Sequence, residues 1–259
     1  MLARAYPRVV GVSRYPTWLI SETVLPLLSV SAFVFVYRAM NAPEEYIGFV
    51  VIGGAMTAFW LNVLWSMGAQ LYWERDSGNL ELYIIAPVSM MAVLAGMALG
   101  GMFLTLMRAT VILLAGVFLF EIPFSAGIDW LSVLAVFVVT LAALYGLGMM
   151  FASVFLLWGR EAWHIVNLLQ EPVYLLSGMN FPVRIFPRLV GLLAGAIPMT
   201  FGMDAMRQLL FGSEGILSVR SELAVLLALT ALFLGAARWS LRGLERRARE
   251  TGRLTVKWQ

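Results

Sequence analysis

The sequence contains no cysteine, one histidine and one lysine, and these shortages remove whole classes of chemistry. Without cysteine there is no disulfide and no thiolate metal site. One histidine, His164, builds neither a multi-histidine metal cluster nor the His-Glu-x-x-His pair of an intramembrane metalloprotease. The lone lysine, Lys257, does not sit in Gly-x-x-x-x-Gly-Lys-Ser/Thr, so there is no phosphate-cradling loop. No Gly-x-Ser-x-Gly occurs, which argues against a serine hydrolase. The acids are scattered and not grouped for a divalent metal. Charge itself is scarce: 13% of the 259 residues are charged and 61% are hydrophobic. A soluble domain is nearer a quarter charged. The chain is therefore read as no enzyme, with no cofactor or metal of its own, and as an all-α protein whose solvent is lipid.

Crossing the hydrocarbon takes roughly 20 apolar residues in a helix. Six stretches qualify: 18–37, broken only by Glu22; 46–73, uncharged; 82–120, with Arg108; 130–159, uncharged; 162–183, with Glu171; and 216–237, with Arg220 and Glu222 near its start. None reads as a cleaved signal peptide. Six spans place both termini on one side. With that side cytosolic, inner segments hold twelve basic residues and outer segments five, and Arg108 stays within a span. The excess inside sets the orientation, giving a multi-pass protein of the cell (cytoplasmic) membrane. Much of the excess lies in the tail, 238–259. A basic segment after a cytosolic span reads as an anchor to anionic lipid and not as a nucleic-acid site.

Residues 1–16 alternate basic and apolar side chains, which predicts an interfacial amphipathic helix or, alternatively, a disordered basic leader. Residues 189–203 are apolar but too short to cross, and Pro198 lies among them. Hence 181–211 is expected to form a re-entrant outer hairpin; an ordinary interfacial loop is the alternative.

The first cytosolic loop is the most informative segment: Trp73-Glu74-Arg75-Asp76-Ser77-Gly78-Asn79-Leu80-Glu81, running on to Ala86-Pro87-Val88-Ser89. Read as one helix over 73–86, it places Trp73, Ser77, Leu80 and Ile84 on one face and Glu74, Gly78 and Glu81 on another. An acidic helix on the cytosolic side is a natural docking surface for another protein.

This stretch resembles the signature loop of the type-2 ATP-binding-cassette (ABC) permeases, the six-span membrane subunits of exporters. Ser177-Gly178-Met179-Asn180-Phe181-Pro182 is similar to the family's Ser-Gly, Phe-Pro stretch at the end of the fifth span. Ile197-Pro198-Met199-Thr200, with Asp204, Met206 and Arg207, resembles the second half of its outer hairpin. Asn79 stands where the family often has threonine. The resemblance implies a single permease domain over 1–259 in which Glu74, Arg75, Asp76, Ser77, Gly78 and Glu81 form the coupling helix. It implies a partner nucleotide-binding ATPase subunit holding ATP and Mg, a second permease subunit forming a homodimer, contact with membrane lipid and no nucleic acid. Phe181, Pro182, Pro198, Asp204 and Arg207 would shape the hairpin. The cargo is expected to be a hydrophobic or amphiphilic small molecule or lipid, with a lipid-linked glycan or polysaccharide as the alternative.

A charge in lipid costs several kcal/mol unless paired or wet. Glu171, followed by Pro172, is therefore read as lining the translocation path or dimer seam; a structural carboxylate bonded to a neighbouring helix is the other reading. Arg108 is read as structural, and His164 as interfacial.

Overall fold

The computed structural model describes residues 16–85, 89–159 and 161–251. The interfacial helix expected over 1–16 lies, apart from Pro16, outside the described residues, as does 252–259 of the tail. All regular structure among the described residues is helical, as lipid requires of backbone that must satisfy its own hydrogen bonds. In chain order the elements are α1 (Pro16–Ala39), α2 (Glu45–Leu61), a π-helical turn (Asn62–Met67), α3 (Gln70–Asp76) and α4 (Leu80–Ile85). There follow α5 (Met90–Phe120), α6 (Trp130–Trp158), α7 (Glu161–Leu176), a 3-10 turn (Val183–Ile185), α8 (Arg188–Ala194), α9 (Pro198–Phe211) and α10 (Val219–Thr251).

Local chemistry sets the ends of the long helices. Ser89 caps α5 by accepting from the Ala92 amide at 3.2 Å, and Glu245 of α10 accepts from the Met90 amide. At the other end of α5, Glu121 turns left-handed and Arg38 donates to the Phe120 carbonyl at 3.1 Å. Asp129 caps α6 through the Leu131 and Ser132 amides, and its bonds from Ser132 hold its carboxyl below the usual range. At 31 and 29 residues, α5 and α6 run about 45 Å, ample for a hydrocarbon core of about 30 Å.

α2 is the inner post of the molecule. In the continuous apolar stretch through α2 and α3 most residues are buried, whereas most of α10 lies at the surface of the chain. α6 packs against α10, α9 and the π-helical turn, and α2 packs against α1 and α5.

Among the described residues four helices are long and apolar enough to cross a membrane, or five if the bent pair counts as one span. The structure departs from expectation in two places. The main difference is the fifth span: α7 is 16 residues, about 24 Å, and stops in a turn at 177–180 where Gly178 has φ +73°. Second, the helix expected over 73–86 is two short helices, because Gly78 at φ +77° ends α3. Pro198 stands between two short helices and occupies the first turn of α9, where its missing N–H costs nothing. α8 and α9 meet there at a bend of 111°.

Candidate functional site

The loop between the α2–α3 helix and α5 folds back on itself. The Gly78 amide donates to the Arg75 carbonyl at 3.0 Å and the Asn79 amide to the Glu74 carbonyl at 2.9 Å. This is the paired closure that a left-handed glycine allows at a helix C-terminus. The Glu74 carboxylate is turned inward. It accepts from the Tyr83 hydroxyl at 2.7 Å and from the Gln70 amide at 3.2 Å, so it fastens α4 to α3. Arg75 also points back, donating to the Leu156 carbonyl at the end of α6 at 3.1 Å and lying 5.2 Å from the centre of the Tyr72 ring. Solvent meets Asp76, Ser77, Gly78 and Asn79 at the tip, with Trp73, Leu82 and Ile85 exposed beside them. Glu81 lies in α4, and its side chain is outside the described residues.

Aromatic packing ties this loop to the spans. Trp163 of α7 stacks on Trp65 of the π-helical turn at 5.4 Å and meets Trp73 edge-on at 5.8 Å and Phe155 at 5.1 Å. Trp65 donates to Gln170 at 2.9 Å. Within the same turn Asn62 accepts from the Tyr145 hydroxyl of α6 at 3.0 Å. A π-helical turn has one residue more per turn than its neighbours and often marks a functional site.

The Ser177–Asn180 turn is pinned from three sides. Tyr37 of α1 donates to the Asn180 carbonyl at 2.7 Å. The Thr57 hydroxyl of α2 lies 3.2 Å from the Met179 sulfur, and Gly53 lets the Met179 carbonyl approach so closely that a Cβ there would sit 1.7 Å from it. Arg207 of α9, fully buried, donates to the carbonyls of Phe49 (2.9 Å) and Met179 (3.4 Å) with its guanidinium 4.9 Å from the Phe49 ring centre. Its Nε and Nη1 have no hydrogen-bond partner.

One turn of α9 away, Asp204 accepts from the Ile216 amide at 2.7 Å. Gln208 donates to Glu222 of α10 at 3.1 Å and to the Leu217 carbonyl at 2.9 Å, and Glu222 accepts from the Leu217 amide at 3.3 Å. Glu222 is completely buried. The sequence reading placed it only as a charge near the start of the last span. Its signal was Asp204, Arg207 and Gln208, three polar residues on one short apolar helix.

Glu171 opens onto a cleft of about 480 Å³ bounded by α1 (Leu25, Pro26, Ser29, Val30), α2 (Gly54, Thr57, Leu61), Tyr174 and Asn180. Pro172 is exposed beside it. Phe181 packs edge-on against Phe186 at 5.7 Å, and Pro182 opens the 3-10 turn. Arg108 is buried within α5, and His164 is exposed. The structure thus joins the hairpin residue Arg207 to the turn before Phe181 and Asp204 to the segment leading into α10, and keeps the loop 74–81 as a separate site. Among the described residues no group of three His, Cys, Asp or Glu side chains is placed to hold a metal ion.

A sequence model of the family described as ABC-2 type transporter matches residues 6–211. The "Probable multidrug ABC transporter permease YbhR" of Escherichia coli strain K12, and the protein of that name from E. coli O157:H7, are each 26% identical to the chain over 162 residues. The aligned stretch is 61% of this chain and 42% of each relative, so the chain spans less than half the length of the curated relatives it matches.

Proposed function

The chain belongs to the ABC-2 type transporter family, and from that premise we propose that it is the path-forming subunit of an ATP-driven exporter, working as a homodimer with separate nucleotide-binding subunits. It is a multi-pass membrane protein and a transporter membrane subunit. In this reading the chain crosses six times, through α1, the α2–α3 helix, α5, α6, α7 with its following turn, and α10, with both termini cytosolic. α8 and α9 form a re-entrant hairpin on the outer side, which the 111° bend supports.

One observation carries the proposal: the family match runs through a loop whose tip, Asp76–Asn79, stands free of the spans while its base is locked to them. A rigid protrusion of this kind suits a cleft in a partner, where seating it transmits motion. Its stem runs from Trp73 through Trp163 and Trp65 to the π-helical turn. ATP and Mg belong to the partner, since this sequence has no phosphate loop. Arg75 and Glu74 act as braces of the coupling element, and Asp76, Ser77, Gly78 and Asn79 as its contact surface.

Cargo enters the cleft beside Glu171. Its walls mix apolar and polar side chains with one aromatic, Tyr174. That favours an amphiphilic small molecule over a glycan, which needs several rings to stack on. The test is purification of the chain with an ATPase subunit encoded beside it. Cysteines at Asp76 or Asn79 should cross-link to that partner; a partner that binds elsewhere refutes the coupling assignment.

A further inference from the structure

We infer that the Glu171 cleft selects lipophilic organic cations, an inference that rests on the exporter reading above. Of the ten described residues lining the cleft, Glu171 carries the one charge. Among the described residues the carboxylate makes no hydrogen bond or ion pair, and Tyr174 lies one turn on in the same lining. A carboxylate at bilayer depth is costly unless it is paired or wet. Arg207 is directed to the Phe49 and Met179 carbonyls and the Phe49 ring. Glu171 is exposed to the cleft, so a charge from outside the chain can meet it.

The rest of the lining specifies what carries that charge. Leu25, Val30 and Leu61 offer apolar wall, and the Tyr174 ring offers a π-face to a cation. Ser29 and Asn180 add weak polar groups at the edge. A volume of about 480 Å³ lies within the range of small-molecule sites, roughly 300–1,000 Å³. A cargo with a diffuse positive charge and a bulky apolar body matches each of these features. An anionic lipid headgroup would meet repulsion from Glu171, and a sugar would find one ring to stack on.

The experiment uses the chain assembled with its ATPase partner in proteoliposomes. Three probes share one shape and differ in charge: tetraphenylphosphonium (+), tetraphenylborate (−) and the neutral triphenylphosphine oxide. Binding to the assembled complex and stimulation of ATP hydrolysis are both read. The cation should bind and stimulate most strongly. In Glu171→Gln its apparent affinity relative to the neutral probe should fall about tenfold, which is about 1.4 kcal/mol. Glu171→Asp should retain most of the preference, which separates charge from fold. An unchanged cation-to-neutral ratio in Glu171→Gln, or equal binding of cation and anion by the unaltered complex, overturns the inference while leaving the exporter reading intact. A complex that moves no compound with ATP overturns the exporter reading and the inference with it.

Discussion

The Tyr83 hydroxyl donates to the Glu74 carboxylate at 2.7 Å across the break at Gly78, so the two short helices of the first loop are held as one body. This assigns Glu74 to the interior of the loop and not to its contact surface. Tyr83 is buried and Glu74 half-buried, so the bond is partly shielded. A hydrogen bond to a charged group is worth about 1.5–3 kcal/mol, with the lower end apt here. Glu74→Gln and Tyr83→Phe should each weaken the coupling of ATP hydrolysis to transport at near-normal membrane expression. The double variant should be scarcely worse than either single one, since Tyr83→Phe removes the bond and Glu74→Gln removes the charge that strengthens it. Additive losses in transport would show that the two residues act separately.

Gly78 has φ +77° and no neighbour within 4 Å of a built Cβ, so backbone strain alone governs substitution there. A left-handed conformation costs an ordinary L-residue about 1–2 kcal/mol, and less for asparagine. Transport should fall in the order Gly, Asn, Ala, Val, with expression unchanged. A fully active Gly78→Val would mean that the turn is not part of the working loop.

The spans were legible because lipid imposes a simple rule: an uncharged run of sufficient length becomes helical, and 130–159 did so almost to the residue while 46–73 became α2, the π-helical turn and the start of α3. The first-loop segment was legible as a site but not in its shape. Helical spacing of Trp73, Ser77, Leu80 and Ile84 outweighed the Ser77-Gly78 dipeptide, a turn signal. Asp76 and Arg75 look alike in sequence, yet one is exposed and the other donates to α6, a distinction made only by tertiary packing. The same holds for Glu222, whose burial depends on Gln208 and the Leu217 amide arriving from elsewhere. The short α7 escaped notice because apolar composition continues through Val183 while the helix ends at Leu176.

Among the described glycines, Gly53 leaves the least room for a Cβ, because the Met179 carbonyl packs against it. Gly53→Ala should force the Ser177–Asn180 turn away from α2 and break its bonds to Tyr37 and Arg207. Thermal unfolding of the purified protein in detergent should shift down, as overpacking typically costs about 1–3 kcal/mol. Gly243→Ala, with open space around its Cβ inside α10, is the matched control and should leave the unfolding temperature equal or slightly higher, since alanine favours the helix. Equal behaviour of the two variants would refute the packing assigned to the turn.

Asp204 accepts from the Ile216 amide between α9 and α10. Asp204→Ala leaves that amide without its partner, a loss of about 1–3 kcal/mol. The hairpin should then loosen from α10, seen as faster amide exchange or proteolysis at 212–218 while the first loop stays protected. Unchanged exchange there would show that Asp204 does not fasten the hairpin.

The central claim is that this chain moves cargo only when an ATPase seats on its first loop. Proteoliposomes containing the chain and its nucleotide-binding partner should accumulate a lipophilic cation when ATP is present on the partner's side. Accumulation should stop when the partner is omitted, when ATP is replaced by a non-hydrolysable analogue, or when Gly78→Val keeps the loop from seating. Accumulation that continues at the same rate without the partner or without hydrolysis would contradict the account.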